Sequence, residues 1–127
     1  THNDEQVKKF NIEATKHSTR QELYKRLCCS IDFIHEHYNT SISLAQLSRV
    51  SCLSTFHFLR TFQQAFKITP HQYITAIRMQ YACKLLKETE LPISDVCLAS
   101  GYRDESSFIR LFKTHVGVTP SLFKKTH

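Results

Sequence analysis

The 127-residue sequence predicts an all-α chain made of two related modules, each a short helix, a turn and a longer helix, joined by a long spacer helix. Three observations predict it. Glycine occurs twice and proline three times, too few for the tight turns of a β-rich fold. Apolar residues recur at intervals of three and four along the chain after residue 18, the period of a helix with one buried face. The chain also repeats itself: Leu44, Leu47, Ser48, Ser51, Cys52 and Leu53 return 49 residues later as Ile93, Val96, Cys97, Ser100, Gly101 and Tyr102. One residue is then added, and at an offset of 50 Phe58, Arg60, Phe62, Phe66, Thr69, Pro70 and Tyr73 return as Phe108, Arg110, Phe112, Val116, Thr119, Pro120 and Phe123.

Taken in order, residues 1–18 are polar with scattered Val7, Phe10 and Ile12, and read as a linker or the end of a preceding domain; the double-module domain occupies 19–127. Ser18 or Thr19, with Gln21 or Glu22 three residues on, offers a capping box. Leu23, Leu27, Ile31, Ile34 and Tyr38 then form the apolar stripe of a helix ending near Asn39. The modules cover about 42–70 and 92–124, each with a short helix of about two turns and a longer helix capped by Ser54 or Asp104. On the longer helices Phe58, Phe62, Ala65 and Phe66 share one stripe, as do Phe108, Leu111, Phe112 and Val116. These stripes read as core and not as stacking platforms. Pro70 opens the spacer, and Tyr73, Ile74, Ile77, Tyr81, Ala82, Leu85 and Leu86 give it an apolar side to about Lys87. Pro92 introduces the second module. At 1.5 Å per residue the roughly 17-residue spacer spans about 25 Å, a stiff separator.

Hydrophobic residues at 41% and charged residues at 22% are ordinary for a folded soluble chain and exclude disorder. No apolar run reaches the ~18 residues of a membrane span, and no signal peptide stands at the front. The chain starts at Thr1 and its single methionine is Met79, from which a processed chain or a fragment is expected. The formal charge of +6 is uneven: residues 1–38 hold six Lys/Arg against six Asp/Glu, and residues 39–127 hold eleven against five. A basic later part fits an anionic partner. Cys28, Cys29, Cys52, Cys83 and Cys97 lack paired metal-ligand spacing and read as reduced, mostly buried thiols of a cytoplasmic protein. Cys28 and Cys29 diverge by about 100° around a helix and His35 and His37 by about 200°, so the four cannot converge on one ion. Neither an enzyme nor a cofactor or metal site is expected.

A short helix, a tight turn and a longer amphipathic helix form a helix-turn-helix, whose second helix enters the DNA major groove. With the aromatic stripe assigned to the core, the remaining face carries Thr55, Phe56, Leu59, Arg60, Gln63 and Lys67 in one module. Its counterpart carries Glu105, Ser106, Ile109, Arg110 and Lys113 in the other. Arginine so placed suits the O6 and N7 of guanine, or a phosphate. From Ile42 to Phe123 the sequence resembles the DNA-binding domain of the AraC/XylS family of bacterial transcription regulators. The residues that carry the resemblance are Ile93 through Tyr102, Ser107 through Lys113 and Gly117 through Pro120, with Leu53 through Phe62, Thr69 through Tyr73, Ile77 through Met79, Ala82, Leu85 and Leu86.

The resemblance implies about seven helices, two helix-turn-helix modules on one face of double-stranded DNA and cytoplasmic regulation of promoters. It places base contacts at Phe56, Leu59 and Arg60 and at Glu105, Ser106, Ile109 and Arg110. It also implies a sensing or dimerisation domain upstream. The family pattern has glycine where Cys52 and Lys67 stand, so both mark turns that need left-handed backbone. Arg49, Lys67, Lys84, Arg103, Lys113, Lys124 and Lys125 are phosphate candidates. Glu105 either accepts from cytosine N4 or complements the helix dipole. The competing reading is a basic module docking on an acidic protein such as RNA polymerase.

Overall fold

The computed structural model describes residues 16–127, with side chains from residue 19 on. Seven helices and no strand occur among the described residues: α1 (Lys16–His37), α2 (Leu44–Val50), α3 (Thr55–Phe66), α4 (Pro70–Glu88), α5 (Ile93–Ala99), α6 (Glu105–Val116) and α7 (Pro120–Thr126). The all-α expectation holds. Of the segment expected as a linker, residues 1–15 lie outside the described residues. Ser18 and Thr19, expected as caps, lie inside α1, which includes Lys16.

The later helix starts are sealed by their own side chains, except that of α5, which follows Pro92 without a side-chain cap. Ser43 and Gln46 form a reciprocal capping box on α2, and Thr69 and Gln72 form another on α4, where Pro70 fills the first turn. Ser54 accepts from the His57 amide at α3, Asp104 from the Ser107 amide at α6 and Thr119 from the Leu122 amide at α7.

Helix ends repeat between modules as faithfully as the sequence does. In α2 the amides of Cys52 and Leu53 donate to the carbonyls of Arg49 and Ser48; in α5 those of Gly101 and Tyr102 donate to Leu98 and Cys97. This doubly bonded reversal needs a left-handed residue, which is Cys52 at φ 55° and Gly101 at φ 99°. The longer helices end on a single bond from a left-handed residue, from Lys67 (φ 67°) to Gln63 and from Gly117 (φ 98°) to Lys113. Both sequence departures from glycine therefore take left-handed backbone while carrying a side chain.

Two apolar cores sit side by side. Leu27 and Ile34 of α1, Leu47 of α2, Phe58 and Phe62 of α3 and Ile74 of α4 make the first. Met79, Ala82 and Leu86 of α4, Val96 and Cys97 of α5, Phe108 and Phe112 of α6 and Phe123 of α7 make the second. The spacer helix is thus shared, its first half closing one core and its second half the other. Ala65, expected in the first stripe, is exposed, because its side of α3 flanks a surface groove beside Tyr24. The thiols also depart from expectation: only Cys97 is buried, Cys28 and Cys83 are half-buried, and Cys29 and Cys52 are exposed. Short apolar spacing placed four of the five in helices without fixing which side of the stripe each lay on.

Candidate nucleic-acid interface

Helices α3 and α6 are each 12 residues long, and each sinks two phenylalanines completely, Phe58 and Phe62 in one, Phe108 and Phe112 in the other. Burying four such rings contributes about 1.5–3 kcal/mol apiece and fixes the rotation of both helices. The outward face follows from that rotation. On α3 it presents Thr55, Phe56, Arg60, Gln63 and, at the end, Lys67; on α6 it presents Glu105, Ser106, Arg110 and Lys113. Phe56 is 75% exposed in the first turn of α3, a large apolar surface with no partner in its own core.

Leu59 and Ile109 stand differently from the rest of the expected set. Both are half-buried: Ile109 packs on the second core, and Leu59 lines a recess of about 220 Å³ with Leu44, Leu47 and Pro70. Each shows an edge to solvent and not a whole side chain.

Asp104 and Arg110 share a network at the start of α6. The Ser107 hydroxyl and amide both donate to the Asp104 carboxylate, and Arg110 Nη2 lies 3.4 Å from the Ser107 hydroxyl oxygen. The Ser107 hydroxyl holds the Asp104 carboxyl below its ordinary range; desolvation opposes it, and the first-turn amides and the Arg110 charge add to the lowering. Glu105 occupies the first turn of α6, where its charge complements the dipole.

Among the phosphate candidates, Arg49 closes the last turn of α2, Lys67 sits at the left-handed end of α3 and Arg103 is the one residue by which the second turn exceeds the first. These three are exposed, as are Lys84, Lys113 and Lys125. Lys124 is half-buried and donates to the Leu91 carbonyl at 3.1 Å, so it already serves the loop before α5.

Arg78 belongs to the stretch that carries the resemblance, but the sequence assigned it no role. Its signal was a cation set between Ile77 and Met79 on the core side of the spacer, and only the fold shows what it meets. Among the described residues no helix is long and apolar enough to cross a membrane, and no group of three His, Cys, Asp or Glu could hold a metal ion.

Two helical modules that share the spacer helix α4 and carry matched, basic outer helices define a double helix-turn-helix DNA-binding domain. Comparison with known proteins gives the same class. A family model described as a helix-turn-helix domain matches residues 47–126, and the chain belongs to that family, the AraC-type helix-turn-helix domains of transcription regulators. The matched domain is a binding module and not a catalyst. The chain is 33% identical over 93 residues to a protein named "Probable transcriptional regulator LumQ" of Photobacterium leiognathi, covering 73% of this chain and 38% of that protein. It is 30% identical over 95 residues to the melibiose operon regulatory protein of Escherichia coli K12, covering 75% and 32%. Among solved structures, the C-terminal domain of AraT, a response regulator from Geobacillus stearothermophilus, superposes with a TM-score of 0.77 at 27% identity, covering 80% of this chain and 85% of that one. The chain spans about a third of the length of the curated relatives it matches, at 38%, 34% and 32% of the first three.

Proposed function

We propose that this domain binds double-stranded DNA sequence-specifically for a transcription regulator, with α3 and α6 reading two successive major-groove segments on one face of the duplex. One observation carries the reading. The fully buried pairs Phe58/Phe62 and Phe108/Phe112 turn equivalent faces outward, and equivalent arginines, Arg60 and Arg110, stand on them. Thr55, Phe56, Leu59, Arg60 and Gln63 face one groove segment in this proposal, and Glu105, Ser106, Ile109 and Arg110 the other. Leu59 and Ile109, unable to hydrogen-bond, contact thymine methyl groups through their exposed edges. Arg49, Lys67, Lys84, Arg103, Lys113 and Lys125 neutralise phosphates, with Lys124 joining once it releases Leu91.

The full regulator in this proposal works in the cytoplasm, carries a sensing or dimerisation domain and contacts RNA polymerase. Its support is that the named relatives are regulators about three times as long as the region they share with this chain. Selection from a random duplex library followed by footprinting tests the central claim. A two-part, non-palindromic site of roughly 20 base pairs is expected, since adjacent major-groove segments on one face are about 10 base pairs apart. If no motif is enriched while random DNA still binds, docking on an acidic protein becomes the better account of the charge.

A further inference from the structure

Arg78 sits where the two cores meet, one residue before Met79 of the second and one after Ile77 of the first. Its guanidinium donates from Nε to the Tyr38 carbonyl at 2.8 Å and from Nη2 to the Thr40 carbonyl at 2.8 Å. Those carbonyls follow the last turn of α1, where helix carbonyls lack intrahelical partners and carry partial negative charge. The same guanidinium lies 5.1 Å from the ring centroid of Tyr102, in the turn of the second module. One side chain of the spacer therefore holds the end of the first module's supporting helix against the turn before α6.

Gly101 supports the same junction from the other side. A Cβ there would stand 2.6 Å from the Tyr38 carbonyl oxygen, 3.0 Å from Arg78 Nε and 3.2 Å from the Asn39 Cα. Besides its left-handed φ, Gly101 is needed so that the two chain segments can touch. Cys52, its counterpart, is exposed and tolerates a side chain. The Tyr38 and Tyr81 rings cross edge-on at 4.9 Å beside the junction, and burial together with the Tyr81 hydroxyl pushes the Tyr38 phenol up to about 12.

We infer that Arg78 is a positioning residue: with Gly101 and Tyr102 it locks the two helix-turn-helix modules in one relative placement, so that binding of one presents the other at its groove. The spacer backbone alone joins the modules end to end, whereas this second connection, remote in sequence, also stops them from twisting about that helix. The inference rests on the two-groove reading for its consequence but not for its geometry.

The test uses Arg78→Lys, which keeps the charge and loses the planar fork, and Tyr102→Leu, which installs the residue type that Leu53 supplies in the first module. Spin labels carried by noncanonical residues at Gln64 and Thr114, on α3 and α6, read the placement without any DNA. Wild type should give one narrow distance and each variant a broadened distribution, with cooperative thermal unfolding retained. On the selected two-part duplex each variant should lose about tenfold in affinity while binding an isolated half-site within about twofold of wild type, the signature of lost effective concentration. Adding one base pair between the halves should penalise the variants less than wild type. An unchanged distance distribution in a folded variant, or equal losses on half-site and whole site, would overturn the inference. Broadening in the variants with no two-part site for wild type would uphold the lock and sink the two-groove reading instead.

Discussion

Arg60 and Arg110 occupy the same place in two modules, but only Arg110 has a neighbour that orients it, the Ser107 hydroxyl bound in turn to Asp104. A guanidinium held near the first turn is already part-ordered for a base edge, and Lys113, one turn further on, has no such support. Arg110→Ala is expected to cost about 1–3 kcal/mol on the selected duplex and to relax preference in one half of the site. Lys113→Ala should weaken specific and random duplexes alike. Competition titrations with both duplexes compare the two variants, and equal losses for Arg110→Ala would assign it to phosphate. Asp104 adds a pH dependence whose sign follows from its cap. Because the folded state holds the carboxyl below its ordinary 3.8, the cap's contribution is complete above that value and is lost as pH falls through the lowered one. Asp104→Asn keeps an amide-accepting cap without the charge, so its melting temperature should fall less steeply than wild type below about pH 4.

At the level of the helix, the two modules differ most in how they afford their left-handed ends. Lys67 takes φ 67° where Gly117 takes 98°, and Cβ strain there costs about 1–2 kcal/mol, partly offset because lysine loses less backbone freedom on folding than glycine. Nothing stands within 4 Å of a Cβ built at Gly117, so at this position glycine answers to φ alone. Lys67→Gly should therefore stabilise the domain by up to about 1 kcal/mol, read from denaturant midpoints. It should also weaken DNA binding by removing a cation. A destabilised variant would show that the lysine side chain contributes more than its backbone costs.

Across the whole molecule, charge and spacing decide binding together. With +6 concentrated after residue 38, six to eight neutralised phosphates give log affinity against log salt a slope of roughly −5 to −7. A slope shallower than about −2 on the selected duplex would contradict phosphate-dominated binding. The 19-residue α4 is about 28 Å long, closes both cores and is braced at Arg78, so the reach between grooves is set by the fold. Inserting about 5 base pairs between the half-sites puts the second groove on the far side and should cost several kcal/mol. Inserting about 10 restores the face but exceeds the reach, so gel-shift affinity should stay low. Full recovery with the longer insertion would mean flexible modules or two bound molecules.

Much of this was legible in the sequence for a local reason. The phenylalanine pairs and the caps at Ser54 and Asp104 depend on neighbours within a turn or two, so residue order with its repeat at 49 and 50 residues determined the two modules and the stripes that α3 and α6 bury, while the family resemblance marked both strained turns. Tertiary structure decided what depends on residues remote in the chain. It left Ala65 and Cys29 outside, set Leu59 and Ile109 at the edge of the cores, and turned Lys124 toward Leu91. It also brought Arg78 to Tyr38 and Thr40, about forty positions away, beside a glycine whose missing side chain lets the modules touch. Periodicity specifies which face of a helix is apolar; only packing specifies what that face meets, because contact between separate helices depends on the placement of whole elements and leaves no period in the chain.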